Sequence, residues 1–82
     1  MVKKINQARE MSFLRMREMY PNDYILVRIV KLDRKTGADT GIALYTSPKF
    51  EELFTYAKQE GSPEETITLH GENLIPMIGG LL

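Results

Sequence analysis

The fold is decided by residues 23–32, which read DYILVRIVKL. β-Branched and aromatic residues dominate this segment, and such residues favour a β-strand. Apolar side chains fall on both of its faces: Ile25, Val27 and Ile29 on one, and Tyr24, Leu26, Val30 and Leu32 on the other. A strand that is apolar on both faces is typical of the middle of a sheet, so the segment predicts a central strand.

Two further strands are predicted downstream of it. Residues 33–39 are polar or glycine-containing and predict a turn, after which residues 41–46 form the second strand of a hairpin. Residues 64–70 alternate between apolar and polar side chains, and we expect Ile67 and Leu69 to face inward while Thr66, Thr68 and His70 face outward. This third strand is therefore predicted to lie at an edge or to have one covered face.

Two helices complete the predicted elements. Between Lys3 and Tyr20, apolar and small residues recur at steps of three and four, which is a helical period, and Pro21 ends the segment. Ser47-Pro48 is typical of a second helix start, because serine caps a helix and proline has no N–H to leave unpaired. Gly61 and Pro63 predict the end of that helix.

These elements predict one α+β domain over residues 1–82, since a chain of this length has material for a single core. Their order is helix, strand, strand, helix, strand. A right-handed crossover through the second helix places the third strand beside the first and parallel to the second. We therefore expect a three-stranded mixed sheet in the order 2-1-3, with two helices on one face and an apolar C-terminal tail.

The other face of this predicted sheet has nothing to cover it, and an open apolar patch marks an interface. The tail, residues 74–82, carries no charged side chain. We expect the contact surface to consist of Tyr24, Leu26, Val30, Tyr45, Leu74, Ile75, Met77, Ile78, Leu81 and Leu82. The chain is accordingly predicted to be a non-catalytic protein-binding domain, acting as a homodimer or as part of a complex with another protein.

The net charge of zero hides a separation along the chain. Residues 1–35 hold nine basic and four acidic side chains, whereas residues 36–82 hold two basic and seven acidic ones. Such a dipolar molecule favours an acidic ligand at one face or association between copies. The basic half leaves nucleic-acid binding open as an alternative, although the acidic half would repel a long polyanion.

Composition argues against several other classes of protein. The chain has no cysteine, so disulfides and thiolate metal sites are excluded, and His70 is its single histidine, which leaves a transition-metal site or a nucleophile–base pair incomplete. The apolar tail is about half of the roughly 20 residues that a membrane-spanning helix needs, and Pro76 would interrupt it. We expect a cytoplasmic protein without cofactor, metal or membrane contact.

One tripeptide, Asp39-Thr40-Gly41, matches aspartic peptidases, in which two such aspartates share a proton and activate water. An apolar strand precedes the aspartate in those enzymes, whereas Thr36-Gly37-Ala38 precedes it here. The residues after Gly41 are too few for the remainder of that all-β fold. A turn position is the favoured interpretation of Asp39, and a peptidase half-site is the alternative.

Three short segments carry a family resemblance. They are YPNDYILV at residues 20–27, a helix start at Ser47-Pro48 followed by Phe50 and Leu53, and a strand that ends near His70-Gly71. Together they resemble a family of small bacterial and archaeal α/β domains without established activity, some of them encoded beside retropepsin-like peptidases. Tyr24 departs from the tryptophan expected there, and the glycine-rich tail differs. The resemblance implies a compact helix-strand-strand-helix-strand domain and favours a partner-binding role, with a peptidase as a candidate partner. It carries no catalytic residue over to this chain.

Overall fold

A computed structural model describes residues 2–6, 9–33, 35–59, 65–71 and 73–76. Its elements are β1 (Lys3–Lys4), β2 (Glu10–Ser12), α1 (Phe13–Met19), β3 (Tyr24–Lys31), β4 (Thr40–Ser47), α2 (Glu52–Gln59), β5 (Thr66–His70) and β6 (Asn73–Pro76). The strands form one six-stranded sheet in the order β1-β4-β3-β5-β6, and β2 also pairs with β4. Every strand pair is antiparallel. The expected three-stranded mixed sheet is therefore wrong.

The middle of the sheet is β3, which pairs with β4 on one side and with β5 on the other. Ile25, for example, lies between Thr46 and Leu69. The three expected strands correspond to β3, β4 and β5, but three more lie outside them. Because β3 runs opposite to both of its neighbours, β4 and β5 share a direction without being adjacent, and the described sheet contains no parallel pair.

The expected helix from Lys3 to Tyr20 is also wrong, because its first part is extended and pairs with the edge of β4. Lys3 pairs with Thr46, and the Ile5 N–H donates to the Leu44 carbonyl at 2.9 Å. The helix begins only at Phe13, where the Ser12 hydroxyl accepts the Arg15 N–H at 3.1 Å. A serine cap satisfies a backbone N–H that has no partner within the helix, which sets the start of α1.

The two helices lie on opposite faces of the sheet, not on one face as expected. Phe13 and Met16 of α1 pack with Ile25 and Val27, in a cluster completed by Ala43, Ile67 and Leu69. Leu53 and Ala57 of α2 pack instead on Leu26. Since alternate residues of a strand point to opposite faces, β3 needs a covering layer on each side, and the helices supply one each.

The β5 strand has two buried faces, which corrects the expected outward orientation of its polar residues. Thr66 and Thr68 are 1% and 0% exposed, and His70 is half-buried. Thr68 lies between Leu26 of β3 and Ile75 of β6 in the sheet. The strand is interior because β6 extends the sheet beyond it.

The second helix begins later than expected. Ser47 still belongs to β4, and α2 starts at Glu52. The Ser47 hydroxyl accepts the Lys49 N–H at 3.0 Å and donates to the Glu52 carboxylate. The serine therefore stabilises the connection between strand and helix, since it fixes a turn on one side and the first residue of the helix on the other.

Candidate functional site

One concave surface of the described residues is lined by parts of the N-terminal segment, α1 and β4. Its volume is about 790 Å³. We call it the cationic groove and define it by its charged lining residues, Lys3, Lys4, Arg9, Glu10 and Arg15, and by its less polar lining residues, Ile5, Asn6, Met11, Met19, Tyr20, Ala43 and Thr46. Its size falls within the range of about 300–1,000 Å³ that is usual for ligand sites.

Strand pairing with β4 positions the charged residues. Lys3 and Lys4 pair with Thr46 and Tyr45 near one end of β4, and Glu10 pairs with Ile42 further along it. Arg9 directly precedes β2, so this arginine and the two lysines of β1 lie along the same edge of the sheet.

The groove has a positive charge because four basic residues line it with one residue that carries a carboxylate. That carboxylate, Glu10, accepts a hydrogen bond from the Thr40 hydroxyl at 2.8 Å. Lys3, Lys4, Arg9 and Arg15 are exposed. Like charges that line a cleft focus the electrostatic field, and this raises the local concentration of ligands of the opposite sign.

Apolar side chains form the other part of the lining. Ile5, Met11 and Tyr20 are partly buried and pack against the core cluster on the α1 face. Met19 is 46% exposed. Methionine is flexible and polarizable, and therefore adapts to apolar groups of different shape. The groove can thus accept a ligand that is both acidic and partly apolar.

The sheet face that was expected to be open is covered by α2. Leu26 has no exposed surface, and Tyr24 and Tyr45 are half-buried. The Tyr24 ring lies 5.7 Å from that of Phe50, and the Tyr45 ring 4.6 Å from that of Tyr56. The expectation of an uncovered apolar face is therefore wrong, because this face carries its own helix.

Other members of the expected contact surface lie apart from these. Val30 is 50% exposed near the end of β3. Leu74 and Ile75 are half-buried in β6, and Leu74 packs against the α1-side core. Met77, Ile78, Leu81 and Leu82 lie outside the described residues. A homodimer contact through these residues stays a prediction.

Asp39 and His70 each contact another residue of the fold. The Asp39 side chain is 7% exposed and its carboxylate accepts the Asp33 N–H at 2.7 Å, which ties together the two ends of the β3–β4 connection. His70 stacks on Tyr24 with ring centroids 3.9 Å apart. Within the described residues, no group of three histidine, aspartate or glutamate side chains could hold a metal ion.

The positive charge of this half of the chain could be predicted from the sequence. That Lys3, Lys4, Arg9 and Arg15 line one groove could not. The expected long helix distributed Lys3, Arg9 and Arg15 around a cylinder. A better signal was Ser12, since a cap residue between a charged segment and Phe13 marks a helix start at that point. Of the two described helices, neither is long and apolar enough to cross a membrane.

Comparison with known proteins finds no matching family model, no similar curated protein and no similar solved structure. The resemblance to small bacterial and archaeal domains therefore stays a prediction, as does the link to neighbouring peptidases.

Proposed function

We propose that the protein is a non-catalytic binding domain whose cationic groove takes an acidic, partly apolar segment of another protein. The observation that carries this proposal is the combination of four basic side chains with one hydrogen-bonded carboxylate around an apolar lining. Opposite charge steers a partner to such a surface, and burial of apolar groups then supplies affinity.

A protein segment fits the lining better than a nucleic acid does. Single-stranded nucleic acids bind to basic channels in which successive bases stack on aromatic rings. Tyr20 is the single aromatic residue among those described in this groove, and the remainder of its apolar surface comes from Ile5, Met11, Met19 and Ala43. Aliphatic and thioether side chains are suited to leucine- or methionine-like groups of a peptide.

The proposed absence of catalysis rests on where the candidate acid lies. Asp39 is not among the residues that line the groove; it is buried, and its carboxylate accepts a hydrogen bond from a backbone N–H. A general acid or base must reach the proton that it transfers. Asp39 serves the proposed domain as a structural residue of the β3–β4 connection.

The experiment is a fluorescence-anisotropy titration with a short peptide that alternates glutamate with leucine. Arg9→Glu combined with Arg15→Glu should weaken its binding about tenfold or more, since attraction becomes repulsion at two positions, and each exposed pair contributes about 0.2–1 kcal/mol. The matched control combines Lys35→Glu with Lys58→Glu, which makes the same charge change at two exposed positions outside the groove. It should bind the peptide about twofold less tightly at most.

Two comparison ligands separate the alternatives. A peptide that alternates glutamate with glycine should bind more weakly, because it offers nothing to the apolar lining, and a single-stranded oligonucleotide should bind more weakly than the glutamate–leucine peptide at the same salt concentration. Equal loss of affinity in the groove variant and the control variant would contradict the proposal. Tighter binding of the oligonucleotide at low salt, with a steep fall as salt rises, would favour the nucleic-acid alternative instead.

A further inference from the structure

Two methionines line the cationic groove, and they differ in exposure. Met19, the last residue of α1, is 46% exposed, whereas Met11 of β2 is half-buried and packs against the core on the α1 face. Met16, one turn earlier in α1, has no exposed surface. Oxidation of a methionine requires contact between the oxidant and the sulfur, so it follows exposure. Of the methionines in the described part of the chain, Met19 is therefore the one that an oxidant in solution reaches first.

Arg15 is a close neighbour of Met19 in the groove. It lies four residues before Met19 in α1, and side chains at that spacing are neighbours on a helix surface. Both residues line the groove, and Arg15 is exposed. A thioether accepts hydrogen bonds only weakly, whereas a sulfoxide is polar. Oxidised Met19 therefore presents an acceptor beside one of the cations that the groove offers to an acidic ligand.

We propose that Met19 is a reversible oxidation site that controls ligand binding in the cationic groove; this inference rests on the function proposed for the groove. In the reduced protein, the thioether packs against the apolar part of the ligand. In the oxidised protein, that contact is lost, and the sulfoxide oxygen accepts a hydrogen bond from the Arg15 guanidinium. The sulfoxide thereby competes with the ligand carboxylate for the same cation.

Oxidation at Met19 needs a peroxide as its co-reactant. The sulfur attacks one oxygen of hydrogen peroxide, so that an S–O bond forms while the O–O bond breaks. The sulfur supplies two electrons and is oxidised, and the displaced hydroxide takes the proton of the new S–OH group and leaves as water. Methionine sulfoxide reductases reverse the change. Two thiols then become a disulfide, and the sulfoxide oxygen leaves as water.

The first measurement follows oxidation itself, by peptide mass spectrometry during exposure to dilute hydrogen peroxide. Met19 should be oxidised at least about tenfold faster than Met16, because one side chain is exposed and the other is not. Circular dichroism and thermal unfolding should show that the protein oxidised at Met19 stays folded. Equal rates at the two methionines would overturn the proposal, and so would unfolding caused by oxidation at Met19.

The second measurement compares binding of the glutamate–leucine peptide before and after oxidation. The wild-type protein should lose about fivefold or more in affinity, because an apolar contact is lost and a cation is engaged, and the reductases should restore it. Met19→Leu keeps the other four methionines of the chain, so any effect of those is common to both proteins. Whatever its initial affinity, this variant should lose about twofold or less on oxidation, whereas Met11→Leu should lose as much as the wild type.

Arg15→Gln and Lys3→Gln test the hydrogen bond to the sulfoxide. Each removes one cation from the groove, but Arg15 lies beside Met19 on α1, whereas Lys3 belongs to β1. The loss on oxidation should therefore be smaller in Arg15→Gln than in Lys3→Gln.

Failure of the groove function and failure of this inference give different results. If the reduced wild-type protein does not bind the peptide, the function proposed for the groove is wrong, and this inference falls with it. If the reduced protein binds the peptide and oxidation of Met19 leaves the affinity unchanged, the groove function stands and this inference is overturned. An equal loss in the two charge variants would also overturn it.

Discussion

At the scale of single residues, Gly41 shows how closely the sheet and α1 approach each other. A Cβ atom placed on Gly41 would lie 2.6 Å from the Arg28 carbonyl oxygen, 2.6 Å from Val27 Cγ1 and 3.1 Å from Phe13 Cε1. The carbonyl belongs to the neighbouring strand and cannot move away without disturbing the sheet. Gly41 is therefore required by space at this position.

We predict that Gly41→Ala lowers the free energy of unfolding by about 1–3 kcal/mol, which is the usual cost of overpacking a core. Urea denaturation monitored by circular dichroism measures it. The control is Gly37→Asn, because Gly37 has φ of +75° with nothing within 4 Å of the point where a Cβ would lie, and asparagine tolerates that conformation. It should change stability by about 0.5 kcal/mol or less. Equal effects would disprove the close approach.

At the scale of elements, the connection from β4 to α2 depends on Ser47 and Glu52. The hydrogen bond from the Ser47 hydroxyl lowers the pKa of the Glu52 carboxyl from its ordinary value. A carboxyl whose pKa is lower in the folded protein stabilises the fold above its unfolded pKa of about 4.3. That contribution is lost as the pH falls through the folded pKa.

We therefore predict that Ser47→Ala destabilises the protein more at pH 7 than at a pH below the folded pKa of Glu52, where that carboxyl is protonated. Urea unfolding midpoints of the two proteins at both pH values provide the measurement. Ser12→Ala is a suitable comparison, because its hydroxyl caps α1 through the Arg15 N–H without a carboxylate partner among the described residues. Its effect should not change with pH in this way. A pH-independent effect of Ser47→Ala would refute the role of Glu52.

The β6 strand places the start of the apolar tail in the sheet. Leu74 pairs with Leu69, a residue with no exposed surface, and packs against the core on the α1 face. Leu74→Ala should lower the free energy of unfolding by about 1–2 kcal/mol, less than a fully buried leucine because Leu74 is only partly buried. Leu14→Ala, at a position 64% exposed, should cost about 0.5 kcal/mol or less. An unchanged stability of Leu74→Ala would mean that β6 contributes nothing to the fold.

At the scale of the whole molecule, the middle of the sheet could be predicted from sequence and its edges could not. Residues 24–31 are apolar on both faces, and this local pattern is enough to predict a central strand. Lys3–Lys4 and Glu10–Ser12 have no comparable pattern. A strand of two or three residues is stabilised by its partner, here β4, and so is not predicted by its own residues. The helical spacing of the apolar residues in this region was therefore misleading.

Local sequence patterns also could not predict on which face of the sheet each helix packs. The apolar stripe of α2 could pack on either side of a sheet whose central strand is apolar on both. Leu53 of α2 covers Leu26, so α1 packs on the opposite face. Which helix packs on which face depends on the complete core. Because α2 covers it, the face that was expected to bind a partner is part of the core. The candidate site lies instead at the N-terminal edge of the sheet.

We propose that this edge, and not the α2 face, receives an acidic partner. Two-dimensional NMR during titration with the glutamate–leucine peptide tests it most directly, because each backbone amide reports its own surroundings. We predict that the largest shifts fall on the groove, at Lys3, Lys4, Arg9, Met11 and Met19, and that they are lost in the combined Arg9→Glu and Arg15→Glu variant. Shifts centred on Phe50 and Phe54 of the α2 face, or shifts that persist in that variant, would contradict it.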